Sequence, residues 1–201
     1  MSVTLLDQPP PTLHRNLGPY RRADHAGLPN EPRCELIYGH FYLSPSPVPL
    51  HQYLALRLGR LLDDVAERTG GLALVAPMDV HLAPHSVVQP DLLYVSPNRG
   101  QIVQAWIEGA PDLAVEILSP STASRDQVHK LNLYAEAGVA EYWIVDPAGR
   151  HIAFLVSDGT AFTVHPPESG RWRSPVVPEV ELDIDGFWAA VERKFGPLSD
   201  R

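Results

Sequence analysis

The sequence predicts an α/β fold in which a mixed central β-sheet is flanked by α-helices, and three observations favour it. Short apolar segments of strand length recur along the chain, among them "QPDLLYV", "DLAVEIL" and "EYWIVD". Two longer segments have the three- and four-residue apolar spacing of amphipathic helices. Because the strand-like and helical segments alternate, helices are expected to cover the sheet.

The elements are expected in a definite order. Two short strands lie within residues 34–45, on either side of a turn at Tyr38 and Gly39. An amphipathic helix follows over residues 48–69, where Pro49 suits its first turn. Further strands are expected over the three apolar segments at residues 72–82 (interrupted by Pro77), 89–95 and 112–118.

The second half continues the alternation. A second helix is expected after residue 119, with Ser124 and Gln127 spaced as a capping box. "EYWIVD" predicts another strand, and Asp158-Gly159 predicts the turn of a β-hairpin. A short amphipathic helix is expected near residues 186–195.

Length and composition indicate one domain and a cytoplasmic protein. The 201 residues suffice for a buried core. Scattered prolines predict that residues 1–30 form an N-terminal arm on the surface of a single domain at residues 31–201. The single cysteine, Cys34, excludes an intramolecular disulfide and fits a reducing compartment. No apolar run approaches the roughly 18 residues of a membrane span, so no membrane partner is expected.

Three charged residues fall in or beside the apolar elements. Asp91 opens one strand, Glu116 lies inside the next, and Lys130 lies early in the following helix. If the two strands are neighbours, the carboxylates converge, and Mg²⁺ is typically held by one or two carboxylates with water and phosphate. Lys130 is one of two lysines among 16 basic residues, and its ammonium could orient a water molecule or stabilise charge on a phosphate. The trio therefore suits metal-dependent phosphodiester hydrolysis.

Spacing alone leaves other interpretations open. A glutamate in an apolar strand is also compatible with a sheet edge or an arginine ion pair, and Asp91 after a proline with a turn cap. A lysine on a helix is most often solvated.

Six segments, in order, resemble the Uma-type restriction endonuclease family of the PD-(D/E)XK nuclease superfamily. They are "CELIYGH", "SPSPVPLHQYLALRL", "QPDLLYV", "DLAVEILSPST", "DQVHKLNLYAEAGVAEYWIVDP" and "LDIDGFW". The resemblance covers roughly residues 33–188 and implies a restriction-endonuclease-like fold, with the active site at one end of the sheet.

The resemblance also implies roles for single residues. Asp91 matches the metal-binding aspartate, and Glu116 the acidic residue of the (D/E)XK motif. The lysine usually stands two residues later, where this chain has Leu118. The family instead places it on the next helix, which is the position of Lys130. Glu35 in "CELIYG" matches a further glutamate, as a metal ligand or as part of the scaffold.

Three more residues are candidate accessory members of the site. His51 and Gln52 begin the first long helix and could face it, although one of them could simply cap the helix. Arg125 could contact a phosphate or be an ordinary surface charge.

The sequence thus predicts a DNA endonuclease that uses Mg²⁺, with Mn²⁺ as a substitute, and that acts as a homodimer because two strands are cut. The alternative is a non-catalytic nucleic-acid-binding or accessory module on the same fold. The net charge of −8 and Leu118 at the usual lysine position both favour that alternative.

Overall fold

The computed structural model describes residues 17–29, 33–44, 46–119 and 125–198, and for residues 125–127 it describes the backbone alone. The elements, in chain order, are α1 (Arg22–Ala26), β1 (Cys34–Ile37), β2 (His40–Leu43), α2 (Pro49–Thr69), β3 (Leu72–Val75), β4 (Val80–Ala83), β5 (Ser86–Val88), β6 (Leu92–Val95), a 3-10 helix (Pro97–Ile102), β7 (Ile107–Glu108), β8 (Leu113–Ile117), α3 (Arg125–Ala137), β9 (Glu141–Asp146), β10 (His151–Ser157), β11 (Phe162–His165), β12 (Arg171–Arg173), β13 (Glu181–Asp183) and α4 (Ile184–Phe195).

The described strands form two main sheets and a small ribbon. One sheet has the order β11-β10-β9-β8-β6-β3, the other β2-β1-β5-β4-β7, and β12 pairs with β13. Each main sheet has one parallel pair, β8 with β9 and β4 with β7, among antiparallel neighbours. The predicted fold class of mixed sheet and flanking helices is confirmed, with the strands divided between two sheets.

The chain passes from one sheet to the other at short irregular segments. The segment predicted as one interrupted strand at residues 72–82 forms β3 in the six-stranded sheet and β4 in the five-stranded sheet. Residues 89–91, between β5 and β6, likewise lead from one sheet to the other. These residues therefore lie where the two sheets meet.

The first long helix packs on the six-stranded sheet as its apolar spacing predicts. Leu54, Leu58, Leu62 and Val65 on α2 are fully buried and belong to the same core as strands β6, β8 and β9. Proline in the first turn and left-handed Gly70 after the last residue define the ends of α2.

The second helix is the crossover between the parallel strands β8 and β9. A parallel connection needs such a segment, which returns over the sheet it leaves. In this chain α3 contacts β1 and β4 of the five-stranded sheet, and its buried Leu133 and Tyr134 share a core with Ala114 of β8. The predicted capping residue Ser124 lies outside the described residues.

Residues 17–29, the described part of the segment predicted to be a surface arm, contact residues further along the chain. The guanidinium of Arg22 in α1 donates to both carboxylate oxygens of Glu108, at 2.8 and 2.7 Å. The backbone of Gly18 donates to Tyr38 at 2.8 Å, beside the β1–β2 turn, where Tyr38 and Gly39 both have positive φ. Within the described ranges, no helix is long and apolar enough to cross a membrane.

Candidate active site

Asp91, directly before β6, lies opposite Glu116 of the neighbouring strand β8. The antiparallel register pairs Leu92 of β6 with Val115 of β8, so the preceding Asp91 stands across from Glu116. Oδ2 of Asp91 accepts the backbone N–H of Ile117 at 2.7 Å, which attaches this carboxylate to the end of β8. The structure thus brings together the two carboxylates that the sequence singled out.

Lys130 reaches the same place from α3. Its ammonium lies 2.8 Å from Oε1 of Glu116 and 2.9 Å from Oε1 of Glu35. Only 12% of the Lys130 side chain is exposed, together with 13% of Glu116 and 8% of Glu35. Lys130 is therefore not a solvated helix residue but the cation between two nearly buried carboxylates.

Glu35 joins the group from the other sheet. Oε1 of Glu35, in β1, accepts the backbone N–H of Gln89 at 2.6 Å as well as the Lys130 ammonium. The Gln89 side chain in turn donates to Asp79 at 2.8 Å. Glu35 thus connects the five-stranded sheet to the segment that carries Asp91.

Tyr134 is a site residue that the sequence analysis missed. Its fully buried hydroxyl donates to Oε1 of Glu116 at 2.8 Å, the same oxygen that Lys130 contacts. Its apolar spacing with Leu131 in α3 is typical of a core residue, so the pattern alone does not indicate a role in the site. The available signal was its position four residues after Lys130, because residues at that spacing share a helix face.

The accessory candidates differ in what they contact. Nε2 of His51, in the first turn of α2, lies 3.1 Å from Oδ2 of Asp91. Gln52 is exposed and lines the same cleft. Arg125 is the first residue of α3, but its side chain lies outside the described residues.

Burial and like charges make the Glu116 carboxylate costly to ionise. Burial is the main cause that raises its pKa to about 7, from an ordinary 4.5. The charges of Asp91 and Glu35 raise the pKa further, and the Lys130 ammonium opposes them. The cluster therefore holds more negative charge than its one lysine neutralises.

The basic groups respond to the same charges. Burial alone would lower the pKa of Lys130, but Glu116 and Glu35 outweigh it and raise that pKa, so the side chain stays an ammonium near neutral pH. Burial likewise opposes protonation of His51, yet its contact with Asp91 raises the pKa of the imidazole. Both groups are thus positioned to supply positive charge.

These residues lie in a cleft of about 890 Å³ bordered by both sheets, α2 and α3. Asp91, Glu116, Glu35 and Lys130 all line it, as does Leu118, the residue at the position where the superfamily usually has its lysine. The Leu118 backbone N–H donates to Val145 at 2.8 Å and so continues the pairing of β8 with β9.

The donor set fits a hard divalent cation held by two carboxylates. The hydrogen bonds described above fall on Oδ2 of Asp91 and Oε1 of Glu116, so Oδ1 of Asp91 and Oε2 of Glu116 are the candidate ligands. No set of three or more His, Cys, Asp and Glu side chains suited to a metal occurs in the described part of the chain. Mg²⁺ usually keeps several waters and needs only one or two carboxylates, and a cation would relieve the excess negative charge of the cluster.

Comparisons with known proteins agree with this architecture. A crystal structure described as "a putative nuclease belonging to DUF820 from Anabaena variabilis ATCC 29413" superimposes with a TM-score of 0.73 at 19% sequence identity. The match covers 86% of this chain and 99% of that one, and at this identity it shows a common fold. No curated protein matches the chain.

A match to a family model assigns the chain to a protein family. The model of the Uma2 family, described as "Putative restriction endonuclease", matches residues 20–191. That match spans most of the 201 residues, including every predicted site residue. The chain therefore belongs to the Uma2 family.

Proposed function

We propose that the protein is a metal-dependent DNA endonuclease that hydrolyses phosphodiester bonds at the Asp91–Glu116 pair. The observation that carries this proposal is the meeting of two carboxylates from adjacent strands with a nearly buried lysine in one cleft. Membership of a family described as "Putative restriction endonuclease" supports it, as does the fold shared with a structure described as "a putative nuclease".

Asp91 and Glu116 would hold the cation, with Mg²⁺ as the natural metal and Mn²⁺ as a substitute. A divalent cation at this position supplies charge stabilisation to the phosphate and lowers the pKa of a bound water. In the hydrolysis, a water oxygen forms a bond to phosphorus and one P–O ester bond breaks. The water proton passes to solvent, and the leaving oxygen takes up a proton.

The other residues of the chain act around this pair. The raised pKa of Lys130 keeps it charged, so it stabilises negative charge on the phosphate and orients the water rather than removing a proton. Tyr134 and Lys130 both hold Oε1 of Glu116, which directs Oε2 toward the cation. His51 holds Asp91 in the same way, and Glu35 fixes the lysine. Action on two DNA strands would be served by a homodimer.

One observation favours a second candidate, a non-catalytic nucleic-acid-binding or accessory module. The Lys130 ammonium already bridges Glu35 and Glu116, so part of the negative charge is neutralised without a metal. Leu118 at the usual lysine position agrees with this alternative.

Cleavage of supercoiled plasmid in Mg²⁺ or Mn²⁺ tests the proposal. Asp91→Ala and Glu116→Ala are each expected to abolish cleavage, whereas Glu67→Ala, which removes an exposed carboxylate of α2, is expected to leave it unchanged. Circular dichroism checks that every variant is folded. Wild-type cleavage by either site variant would disprove the mechanism, and no cleavage by the wild-type protein would favour the accessory module.

A further inference from the structure

The rim of the candidate active-site cleft is apolar, in contrast to its charged floor. Four large hydrophobic side chains that line the cleft are more than half exposed: Leu43 (70%), Val48 (51%), Leu56 (67%) and Val75 (52%). They come from β2, the approach to α2, α2 itself and β3. Clustered exposed apolar side chains at the mouth of a cleft mark a binding surface.

Among the residues whose side chains the structure describes, the cleft has few positive charges to offer a duplex. Arg33 and Arg60 line it in addition to Lys130 and His51, which are already engaged by carboxylates, and Asp63 adds a further negative charge. Proteins that bind duplex DNA through its backbone typically neutralise several phosphates with clustered Lys and Arg. The described lining of this cleft, with its apolar rim, does not present such a cluster, and the net charge of the chain is −8.

Unpaired nucleotides fit an apolar rim with few cations better than a duplex does. In a duplex the base faces are stacked and hidden, whereas an unpaired strand exposes them, and apolar or aromatic side chains take them up. The volume of about 890 Å³ is within the range of roughly 300–1,000 Å³ typical of pockets that enclose small ligands. Such a cleft encloses a few nucleotides rather than a double helix.

We propose that the cleft binds unpaired DNA, with base faces packed on the apolar rim while Arg33 and Arg60 contact phosphates on either side of the one that reaches Asp91 and Glu116. This inference rests on the proposed function for its cleavage step, but the binding preference can be measured separately. The substrate class is thus a single strand, or a duplex with an unpaired loop.

The test compares one fluorescein-labelled oligonucleotide as a single strand, as a perfect duplex and as a duplex with an unpaired internal loop. Binding is measured by anisotropy in Ca²⁺, and cleavage in Mn²⁺. We expect binding about 10-fold tighter to the single strand and the looped duplex than to the perfect duplex, because only unpaired bases can leave water and pack on the apolar side chains of the rim. Cleavage is expected to follow the same order.

Two variants at the rim and one matched control distinguish DNA binding by the rim from a general effect of adding a polar side chain to the surface. Leu56→Gln and Val75→Gln are each expected to weaken binding to unpaired DNA about 5- to 10-fold and to leave duplex binding unchanged. Val164→Gln, at a valine of β11 that is 60% exposed and outside the cleft lining, is expected to change neither. All three positions are exposed, so the variants are expected to fold.

Each alternative result has a definite meaning. Equal binding of all three DNAs, or rim variants that bind unpaired DNA like the wild-type protein, would overturn the inference even if plasmid is cleaved. Selective binding of unpaired DNA without cleavage would uphold it and contradict the proposed nuclease activity. A dimer in sedimentation that Leu56→Gln converts to a monomer would show that the rim is covered by a second copy, which also overturns it.

Discussion

Two glutamates on adjacent parallel strands, both largely shielded from solvent, have opposite surroundings. Glu141, at the start of β9, is fully buried and accepts hydrogen bonds on both oxygens, from Trp143 at 2.5 Å and Trp172 at 3.0 Å on Oε1 and from Ser174 on Oε2. All three donors are neutral. Glu116, on β8, instead lies beside an ammonium and two further carboxylates at the floor of a cleft.

The difference shows that burial alone does not identify a site. Burial raises the pKa of both carboxyl groups. At Glu141 the hydrogen bonds from neutral donors act against burial and lower the pKa. At Glu116 the neighbouring carboxylates act with burial and raise the pKa further. Glu141 ties β9 to the residues of the β12–β13 ribbon, which is a structural task. Glu116 has an oxygen available toward a cleft and excess negative charge around it, which is the condition for binding a cation.

The largest effect is expected from removing the Lys130 ammonium, which lies beside Glu116 and has no counterpart among the three donors to Glu141. Lys130→Met should lower the rate of DNA cleavage roughly 100-fold, because an ammonium that stabilises charge on the phosphate is lost. Single-turnover cleavage kinetics measure the change. Lys194→Met, at the other lysine of the chain, which is exposed on α4, should leave the rate unchanged. An active Lys130→Met variant would make the lysine a structural counter-ion only.

The next effect concerns Glu141. Glu141→Gln should lower the free energy of unfolding by about 2 kcal/mol, because a neutral amide replaces a carboxylate that accepts three hydrogen bonds in the core. Urea denaturation followed by tryptophan fluorescence measures it, with Glu67→Gln as the exposed control. The folded variant should cleave DNA at the wild-type rate, and a selective loss of cleavage would mean that Glu141 belongs to the site.

A smaller effect is expected from the second donor to Glu116. Tyr134→Phe keeps the ring but removes the hydroxyl, and should weaken Mn²⁺ binding about 10-fold, because side chains that orient a metal ligand contribute on that scale. Calorimetric titration gives the affinity. Tyr94→Phe is the matched control, since it removes a buried hydroxyl that bonds Thr69 at 2.7 Å instead. An equal loss of Mn²⁺ affinity in both variants would indicate a general effect of removing a buried hydroxyl.

A further effect is a pH dependence of stability in the metal-free protein. Since folding raises the pKa of Glu116 from 4.5 to about 7, the folded state binds more protons than the unfolded state between these values. The free energy of unfolding should therefore fall as pH rises through this window. Glu141 adds a slope of the same sign, so the difference between wild type and Glu116→Gln isolates Glu116. Denaturation curves with parallel pH slopes for the two proteins would contradict the assignment.

Local patterns predicted the elements well. The strand over residues 141–146 and the long helix ending at Thr69 agree with the structure, because periodicity and terminal glycine or proline depend on nearby residues alone. The division of strands between two sheets could not be predicted, because it depends on pairing between distant segments. The short strand β5 and the β12–β13 ribbon were missed for the same reason.

The candidate site was partly predictable. Asp91, Glu116 and Lys130 stood out because charged residues are unusual among apolar strands and in a chain with only two lysines. The contact of Glu35 with Gln89 depends on how the two sheets meet, and no local pattern encodes that. Tyr134 was hidden because a tyrosine in an apolar stripe looks like core, and only its alignment with Lys130 distinguishes it.

The central claim is that Glu116, unlike Glu141, belongs to a cation site, and Mn²⁺ titration by calorimetry tests it most directly. The wild-type protein and Glu141→Gln should bind Mn²⁺ with the same affinity, and Glu116→Gln should show no binding at that site. Equal binding by wild type and Glu116→Gln, or no binding by the folded wild-type protein, would contradict the claim.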